Sequence, residues 1–201
     1  MKYSDQIADW LVDMGDTHCF YVGGGNIMHI LESFNRKLDC KAVIHEVAAG
    51  ISAEYFNETT DKGKALALVT AGPGLTNIIS SIAGAYLESR ELLVIGGQCK
   101  TTDLSNGRLR QNSIQERSGS KLVHSICSNS ETMLNVWSKD KFCKKINFPS
   151  SKRKAPIFLE IPLDIQARNV EPSSLKIKIK DNLSCVNEKE LKNVLALIKN
   201  S

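Results

Sequence analysis

Short, uninterrupted apolar runs alternate along this chain with stretches of helical periodicity, and that alternation restricts the fold more than any single residue does. Cys19-Phe-Tyr-Val22, Ala42-Val-Ile44, Ala65-Leu-Ala-Leu-Val69, Leu92-Leu-Val-Ile95 and Ile157-Phe-Leu-Glu-Ile161 read as strands. Continuous rather than alternating apolar character means that both faces of such strands are covered. Between them, Ile27, Ile30, Leu31 and Phe34 recur at helical spacing, and residues 46–58 and 74–88 read as two further helices. An opening helix carries Ile7, Trp10, Leu11 and Met14, with Ser4 as its expected cap and Gly15 as its stop. A loop is expected from Gly96 to about Gly119, an extended Leu122-Val-His-Ser-Ile126, and a helix over 129–146. The expected fold class is α/β: a parallel sheet covered by helices on both faces.

From Pro162 the character changes. Pro172-Ser-Ser174 reads as a linker, and a final helix from Glu188 places Leu191, Val194, Leu195 and Ile198 on one face. The expected organisation is one domain over 1–168, a linker over 169–186, and over 187–201 a helix that needs a further surface to pack on.

Composition excludes some classes. The chain has 201 residues, enough to bury a core, and its 26 Lys and Arg against 22 Asp and Glu leave a net charge of only +4. That mild excess argues against nucleic acid as a partner. The lysines from Lys139 to Lys154, with Arg153, read as a solvated face. Cys19, Cys40, Cys99, Cys127, Cys143 and Cys185 form no Cys-x-x-Cys pair and have no histidine at zinc spacing, so buried reduced thiols are expected. No signal segment opens the chain and no apolar run is long enough for a membrane, which predicts a soluble cytoplasmic protein.

Candidate chemistry gathers where strands pass into helices. Glu46 follows the run Ala42-Val-Ile44 and opens a helix of small residues, in the place where α/β proteins put their ligands. A glutamate stabilised by the helix dipole explains it equally well. Flanking Val47, Ala48 and Ala49 favour desolvation, which favours the protonated form of a carboxyl and suits proton transfer. Gly72-Pro73-Gly74 sits at the next strand–helix junction with Asn77 one turn in, where bare backbone can approach a ligand. Gly23-Gly-Gly-Asn26 follows the first strand, but Met28 stands where a dinucleotide fingerprint needs its last glycine. The small faces Ala49, Gly50, Ala53 and Ser80, Ser81, Gly84, Ala85 serve either close packing within the chain or a homodimer. Arg108 and Arg110, near Gln111 and Gln115, either meet an anionic substrate or keep a loop soluble.

Six motifs together go beyond generic features: Ile44-His-Glu-Val-Ala-Ala-Gly-Ile-Ser-Ala-Glu-Tyr55, Val69-Thr-Ala-Gly-Pro-Gly-Leu-Thr-Asn77, Gly84-Ala-Tyr-Leu-Glu-Ser89, Gly96-Gly-Gln98, Ile114-Gln-Glu116 and Ala155-Pro-Ile-Phe-Leu-Glu-Ile-Pro-Leu-Asp164. In this order they resemble the N-terminal pyrimidine-binding domain of thiamine diphosphate enzymes of the acetolactate synthase-like group, over about residues 3–168. The resemblance implies that Glu46 hydrogen-bonds N1′ of the cofactor's aminopyrimidine and promotes loss of the thiazolium C2 proton. It implies that Gly24 and Gly25 approach the cofactor, that Gly72, Pro73, Gly74 and Asn77 line the pyrimidine pocket, and that Gln115 faces the reacting centre. The implied activity is decarboxylation of a 2-oxo acid with carboligation, with catalytic roles for Glu46 and Gln115. Implied partners are a diphosphate-binding domain or subunit and a second copy of the chain, met through helices 46–58 and 74–88.

Departures from the family pattern bear on the substrate. Gly23 replaces the usual proline of Pro-Gly-Gly, Arg90-Glu91 replaces a proline after Ser89, and Ile114 replaces an aromatic. In that family Mg²⁺ and the diphosphate are held through a Gly-Asp-Gly motif, which these 201 residues lack; Asp61, Asp103 and Asp164 have no such context. The expectation is a pyrimidine-binding half, inactive alone, with no metal ligands of its own. It would be a piece of a longer enzyme or a separately encoded subunit, the tail helix favouring the first. The alternative is a non-catalytic dimerisation or regulatory module that retains the fold.

Overall fold

A computed structural model describes residues 1–105, 107–148, 153–172 and 188–199. In chain order the elements are α1 (Tyr3–Asp13), β1 (Asp16–Tyr21), α2 (Met28–Asn35), β2 (Asp39–Ala42), α3 (Glu46–Thr59), β3 (Lys64–Val69) and α4 (Pro73–Leu87). They continue as β4 (Leu93–Gln98), α5 (Gly119–Leu122), β5 (Asn129–Thr132), α6 (Lys139–Ile146), β6 (Ile157–Pro162), α7 (Leu163–Gln166) and α8 (Glu188–Lys199). The strands form one six-stranded sheet in the order β2-β1-β3-β4-β6-β5. Every neighbouring pair is parallel. The expected α/β sheet is therefore the one observed.

The core lies on both sheet faces. One cluster joins Trp10, Phe34, Leu68, Ile95 and Phe142; the other joins Ala49, Ala53, Val69, Ile78 and Phe158. Central strands β4 and β6 are buried along their whole length, as their unbroken apolar runs require. Gly15 ends α1 in the left-handed region at φ +95°, as expected of a glycine stop. Backbone bonds from Tyr3 N–H to the Arg168 carbonyl (2.8 Å) and from Val170 N–H to Met1 (3.0 Å) tie the N-terminus to the end of the sheet domain.

Four local expectations are corrected. Ser4 lies inside α1, fully buried, and accepts a hydrogen bond from Ser33 Oγ (2.8 Å); the helix start is served instead by Asp5, whose carboxylate accepts from Lys2 N–H (3.1 Å). The run Ala42-Val-Ile44 is no buried strand: β2 ends at Ala42 and is a largely exposed edge strand, and Ile44 is fully exposed. Leu122–Ile126 is helical rather than extended, split between α5 and a short 3₁₀ turn over His124–Ile126. The helix expected over 129–146 is β5 followed by α6. Among the described residues polar Asn129-Ser-Glu-Thr132 pairs with β6 alone, and no apolar pattern marks it as a strand.

The basic run is largely paired. Lys139, buried, meets Asp13 at 2.5 Å; Lys144 meets Asp140, Lys145 meets Glu131, and Lys154 meets Glu91. The described cysteines are free thiols, with Cys19, Cys99 and Cys143 buried. Residues 149–152 of the basic run, positions 173–186 of the expected linker, and Cys185 lie outside the described residues. On α8, Leu191, Leu195, Leu197 and Ile198 are exposed. No helix among the described residues is long and apolar enough to cross a membrane.

Candidate cofactor site at the switch in strand order

Strand order reverses between β1 and β3: the chain proceeds outward from β1 to β2, then returns to place β3 and β4 on the other side. Ligands of open parallel sheets bind outside the carboxyl ends of the strands at such a reversal. Gly23–Gly25 leave the end of β1, and Thr70–Gly74 leave the end of β3, so both glycine segments stand at that crevice.

Their closeness is visible in what a side chain would meet. A Cβ on Gly24 would lie 2.4 Å from Thr70 Cβ, and one on Gly74 would lie 2.9 Å from Thr70 Cγ2 and 3.3 Å from Glu46 Oε1. Thr70 thus fills the space between the two glycine segments. Sequence spacing did not single it out, although it stands within the Val69–Asn77 motif. Gly25 has open space where a Cβ would go, so its glycine is not demanded by packing within the chain.

Glu46 is 7% exposed although it follows an exposed edge strand. Burial comes from α4: Asn77 Nδ2 donates to Glu46 Oε2 at 2.9 Å, and Gly74 lies against the other carboxylate oxygen. Among the described residues Asn77 is the side chain that donates to this carboxylate. His45 is the helix cap beside it, its Nδ1 accepting from Val47 N–H at 3.2 Å, which fixes where α3 begins and so where Glu46 projects. One oxygen of the carboxylate is therefore held while the other borders a gap kept clear by glycine.

Gly72 caps α4 at φ +66°, ψ −117°, a conformation open to glycine and costly for other residues. Gln115 packs directly on it: a Cβ at Gly72 would sit 2.6 Å from Gln115 Cβ and 2.9 Å from its carbonyl oxygen. Gln115 itself has a positive φ of 63°. Two left-handed residues face each other, and the exposed Gln115 side chain is delivered to the Gly-Pro-Gly turn. Pro73, at the first position of α4, needs no hydrogen-bond donor there. The structure thus brings together Gly24, Glu46, Gly72, Pro73, Gly74, Asn77 and Gln115.

Beyond this cluster, at the carboxyl ends of β4 and β6, lies a buried carboxyl that sequence reasoning passed over. Glu160 is 1% exposed and accepts from Gln98 Nε2 (3.0 Å), Gly119 N–H (3.0 Å) and Thr132 Oγ1 (2.8 Å). Desolvation pushes its carboxyl up to about 7, against the hydrogen bonds that favour the charged form. Both Gln98 and Glu160 lie within quoted motifs, but neither spacing nor residue type announces that they touch.

The small faces of α3 and α4 are spent largely inside the chain. A Cβ on Gly50 would meet Ser81 Oγ at 2.0 Å, and Ala49, Ala53 and Ala85 are fully buried. Ser80 and Gly84 instead border an outward groove with Ile51 and Tyr55. Arg90 closes one end of it, paired with Glu54 at 3.0 Å and lying over the Tyr55 ring. No group of three His, Cys, Asp or Glu among the described residues is placed to hold a metal ion.

A doubly wound parallel domain with an oriented, nearly buried carboxylate beside glycine-cleared backbone at the strand-order switch is the architecture of a cofactor-binding domain. The chain belongs to the thiamine pyrophosphate enzyme family, N-terminal TPP binding domain, whose model matches residues 1–122. It is similar to the acetolactate synthase large subunit of Buchnera aphidicola subsp. Acyrthosiphon pisum, at 28% identity over 164 residues, covering 81% of this chain and 28% of the relative. The mitochondrial acetolactate synthase of Schizosaccharomyces pombe is 28% identical over 167 residues, covering 79% of this chain and 23% of that protein. Acetolactate synthase 1, chloroplastic, of Nicotiana tabacum is 28% identical over 174 residues, covering 85% and 25%. The chain thus spans about a quarter of the length of these relatives.

Proposed function

We propose that this chain is the pyrimidine-binding half of a thiamine diphosphate- and Mg²⁺-dependent enzyme that decarboxylates a 2-oxo acid and joins the product to an acceptor, as a lyase or transferase of acetolactate synthase type. The observation that carries the proposal is the Glu46 carboxylate, held at one oxygen by Asn77 and bordered at the other by Gly74. The residues fit the group: the bare Gly74 leaves Glu46 Oε1 uncovered, since a Cβ there would lie 3.3 Å from it, and Gly25 keeps open space beside the same crevice. Thiamine diphosphate, when bound, supplies the electron sink that decarboxylation of a 2-oxo acid requires. Glu46 gives and takes a proton at the pyrimidine ring nitrogen N1′, and Asn77 keeps its carboxyl from turning away. Gly25, Gly72 and Pro73 shape the wall, and Gln115 serves the reacting centre from the far side of Gly72.

The chain supplies no metal ligands in this reading. Mg²⁺ and the diphosphate belong to a partner domain or subunit, and residues 169–201 are the linker and first helix leading to a further domain. Two copies pair through the outer faces of α3 and α4, in the cytoplasm. A purely structural pairing module would need neither the Glu46–Asn77 contact nor the cleared Gly74.

Calorimetry with thiamine diphosphate and Mg²⁺ tests the half-site, using the chain alone and the chain combined with the part of the Buchnera relative that lies beyond the matched region. Weak or undetectable binding to the lone chain and tight binding to the combination are expected. Tight binding by the lone chain would refute the division of labour. Glu46→Gln should abolish turnover of the combination while leaving its fold intact, and near-normal turnover would remove Glu46 from the chemistry.

A further inference from the structure

A cavity of about 540 Å³ opens at the carboxyl ends of β4, β5 and β6, floored by Gln98, Thr132 and the buried Glu160. Its rim comes from segment 107–118, which also carries Gln115. Volumes of this size are usual for small-molecule sites.

The charges around it are unevenly satisfied. Arg108, Arg117 and Lys121 line the cavity, and none of them forms an ion pair with the described residues. Elsewhere Lys2, Lys37, Lys41, Lys64, Arg36 and Arg90 have carboxylate partners, and Lys62, Lys100, Arg110 and Arg168 have none among the described residues; what distinguishes Arg108, Arg117 and Lys121 is that they line one cavity together.

The three acids in the same wall are each engaged. Glu116 accepts from Ser105 N–H (2.6 Å) and Asn112 N–H (3.3 Å). Burial raises the Glu116 carboxyl, and these bonds outweigh that and hold it below the usual range. Glu131 pairs with Lys145 at 2.5 Å, outside the cavity. Glu160 is sunk beneath the floor with three donors, and burial leaves its carboxyl at about 7, so near neutrality it does not project a full fixed charge.

What remains is three cations with no carboxylate partner among the described residues, in a lining shared with Ser105, Ser118, Ser120 and Ser130 and with Leu104, Leu109 and Leu134. A bare inorganic ion would use the cations and leave the leucines in water. We propose that this cavity is a binding site for a small organic oxyanion, a carboxylate or phosphate head group on a short aliphatic chain. Arg108, Arg117 and Lys121 hold the head group, and the leucines cover the chain. Guanidinium groups suit both head groups, because their forked donors match two oxygens at once. The site stands on its own residues and needs no cofactor.

The test is a nuclear magnetic resonance titration of the ¹⁵N-labelled 201-residue chain with 2-oxobutanoate and, separately, with propyl phosphate. Neutral 2-butanone is the control for the aliphatic part. Saturable shifts at the amides of Ser118, Ser120, Lys121 and Thr132 are expected with one or both anions, and which anion binds tighter identifies the head group. Arg108→Ala with Arg117→Ala should weaken that binding by at least about tenfold, since charge-assisted hydrogen bonds are lost, and leave the thermal midpoint within a few degrees. Absence of saturable shifts with both anions would overturn the proposal. So would equal affinity in the double variant, or equal shifts with 2-butanone. Glu46→Gln should bind the anion as the parent does, and a loss there would also overturn it, because the two sites would then be one. Neither probe contains a pyrimidine or thiazolium, so an error in the cofactor assignment would leave these shifts unchanged.

Discussion

Replacing Glu160 by glutamine should remove a definite pH dependence from the stability of this fold. In the folded chain burial, which disfavours the charged form, pushes its carboxyl up to about 7 from an ordinary value of 4.5. A folded-state pKa above the unfolded one means that the folded chain holds the proton more tightly. The stabilisation is complete below the unfolded pKa and is lost as pH rises through the folded one. Between pH 5 and pH 8 the group should therefore cost the fold on the order of 2 to 3 kcal/mol. Glutamine reproduces the neutral form: its carbonyl oxygen can accept from Gln98 and Gly119, and its amide can donate to Thr132 Oγ1, whose own proton can turn to Ser120, 2.8 Å away. Asp16, also buried and pushed up to about 7 by desolvation, gives a slope of the same sign but is present in both proteins. Urea unfolding of parent and variant at several pH values isolates Glu160 as a difference. The expected result is a gap that widens in the variant's favour from pH 5 to pH 8. Parallel stability curves would refute the reasoning.

Two substitutions probe the packing that builds the candidate site. Gly72→Ala combines a positive φ with a Cβ 2.6 Å from Gln115, so denaturant midpoints should report a loss of about 2 to 4 kcal/mol, and the 113–117 amides should shift in a ¹⁵N spectrum. Gly50→Val should separate α3 from α4, because even its Cβ would sit 2.0 Å from Ser81 Oγ; a fall of several degrees in thermal midpoint is expected, and an unchanged midpoint would contradict the described helix contact.

The central sheet was legible because β3, β4 and β6 are buried on both faces and carry unbroken apolar runs. Edge strands were not. Among the described residues β2 and β5 each pair on one side only, tolerate polar residues such as Asp39 and Glu131, and show neither alternation nor continuity. The same difference explains Glu46: its position at a helix start was readable, but its burial depends on Gly74 and Asn77 from α4, about thirty positions away, rather than on the strand before it. Thr70 and Glu160 escaped notice for a related reason. Each is an ordinary residue type whose importance lies in what crosses over it, Gly24 in one case and Gln98 with Gly119 in the other. Gly72 and Gln115 could be suspected from their motifs, but their mutual contact belongs to three-dimensional structure alone.

The Gly24–Thr70–Gly74 junction also has a consequence for how the chain acquires its site. Gly24 follows β1 and Thr70 follows β3, which are adjacent in the sheet but separated in sequence by all of α2, β2 and α3. Glu46 and Gln115 join from two further segments. No excised peptide holds more than a fragment of this arrangement, and a chain that has formed its helices but has not paired β1 with β3 has no site at all. A ligand recognised here selects the completed sheet from every partly folded state, so its binding energy would add to the stability of the whole domain rather than to a local turn.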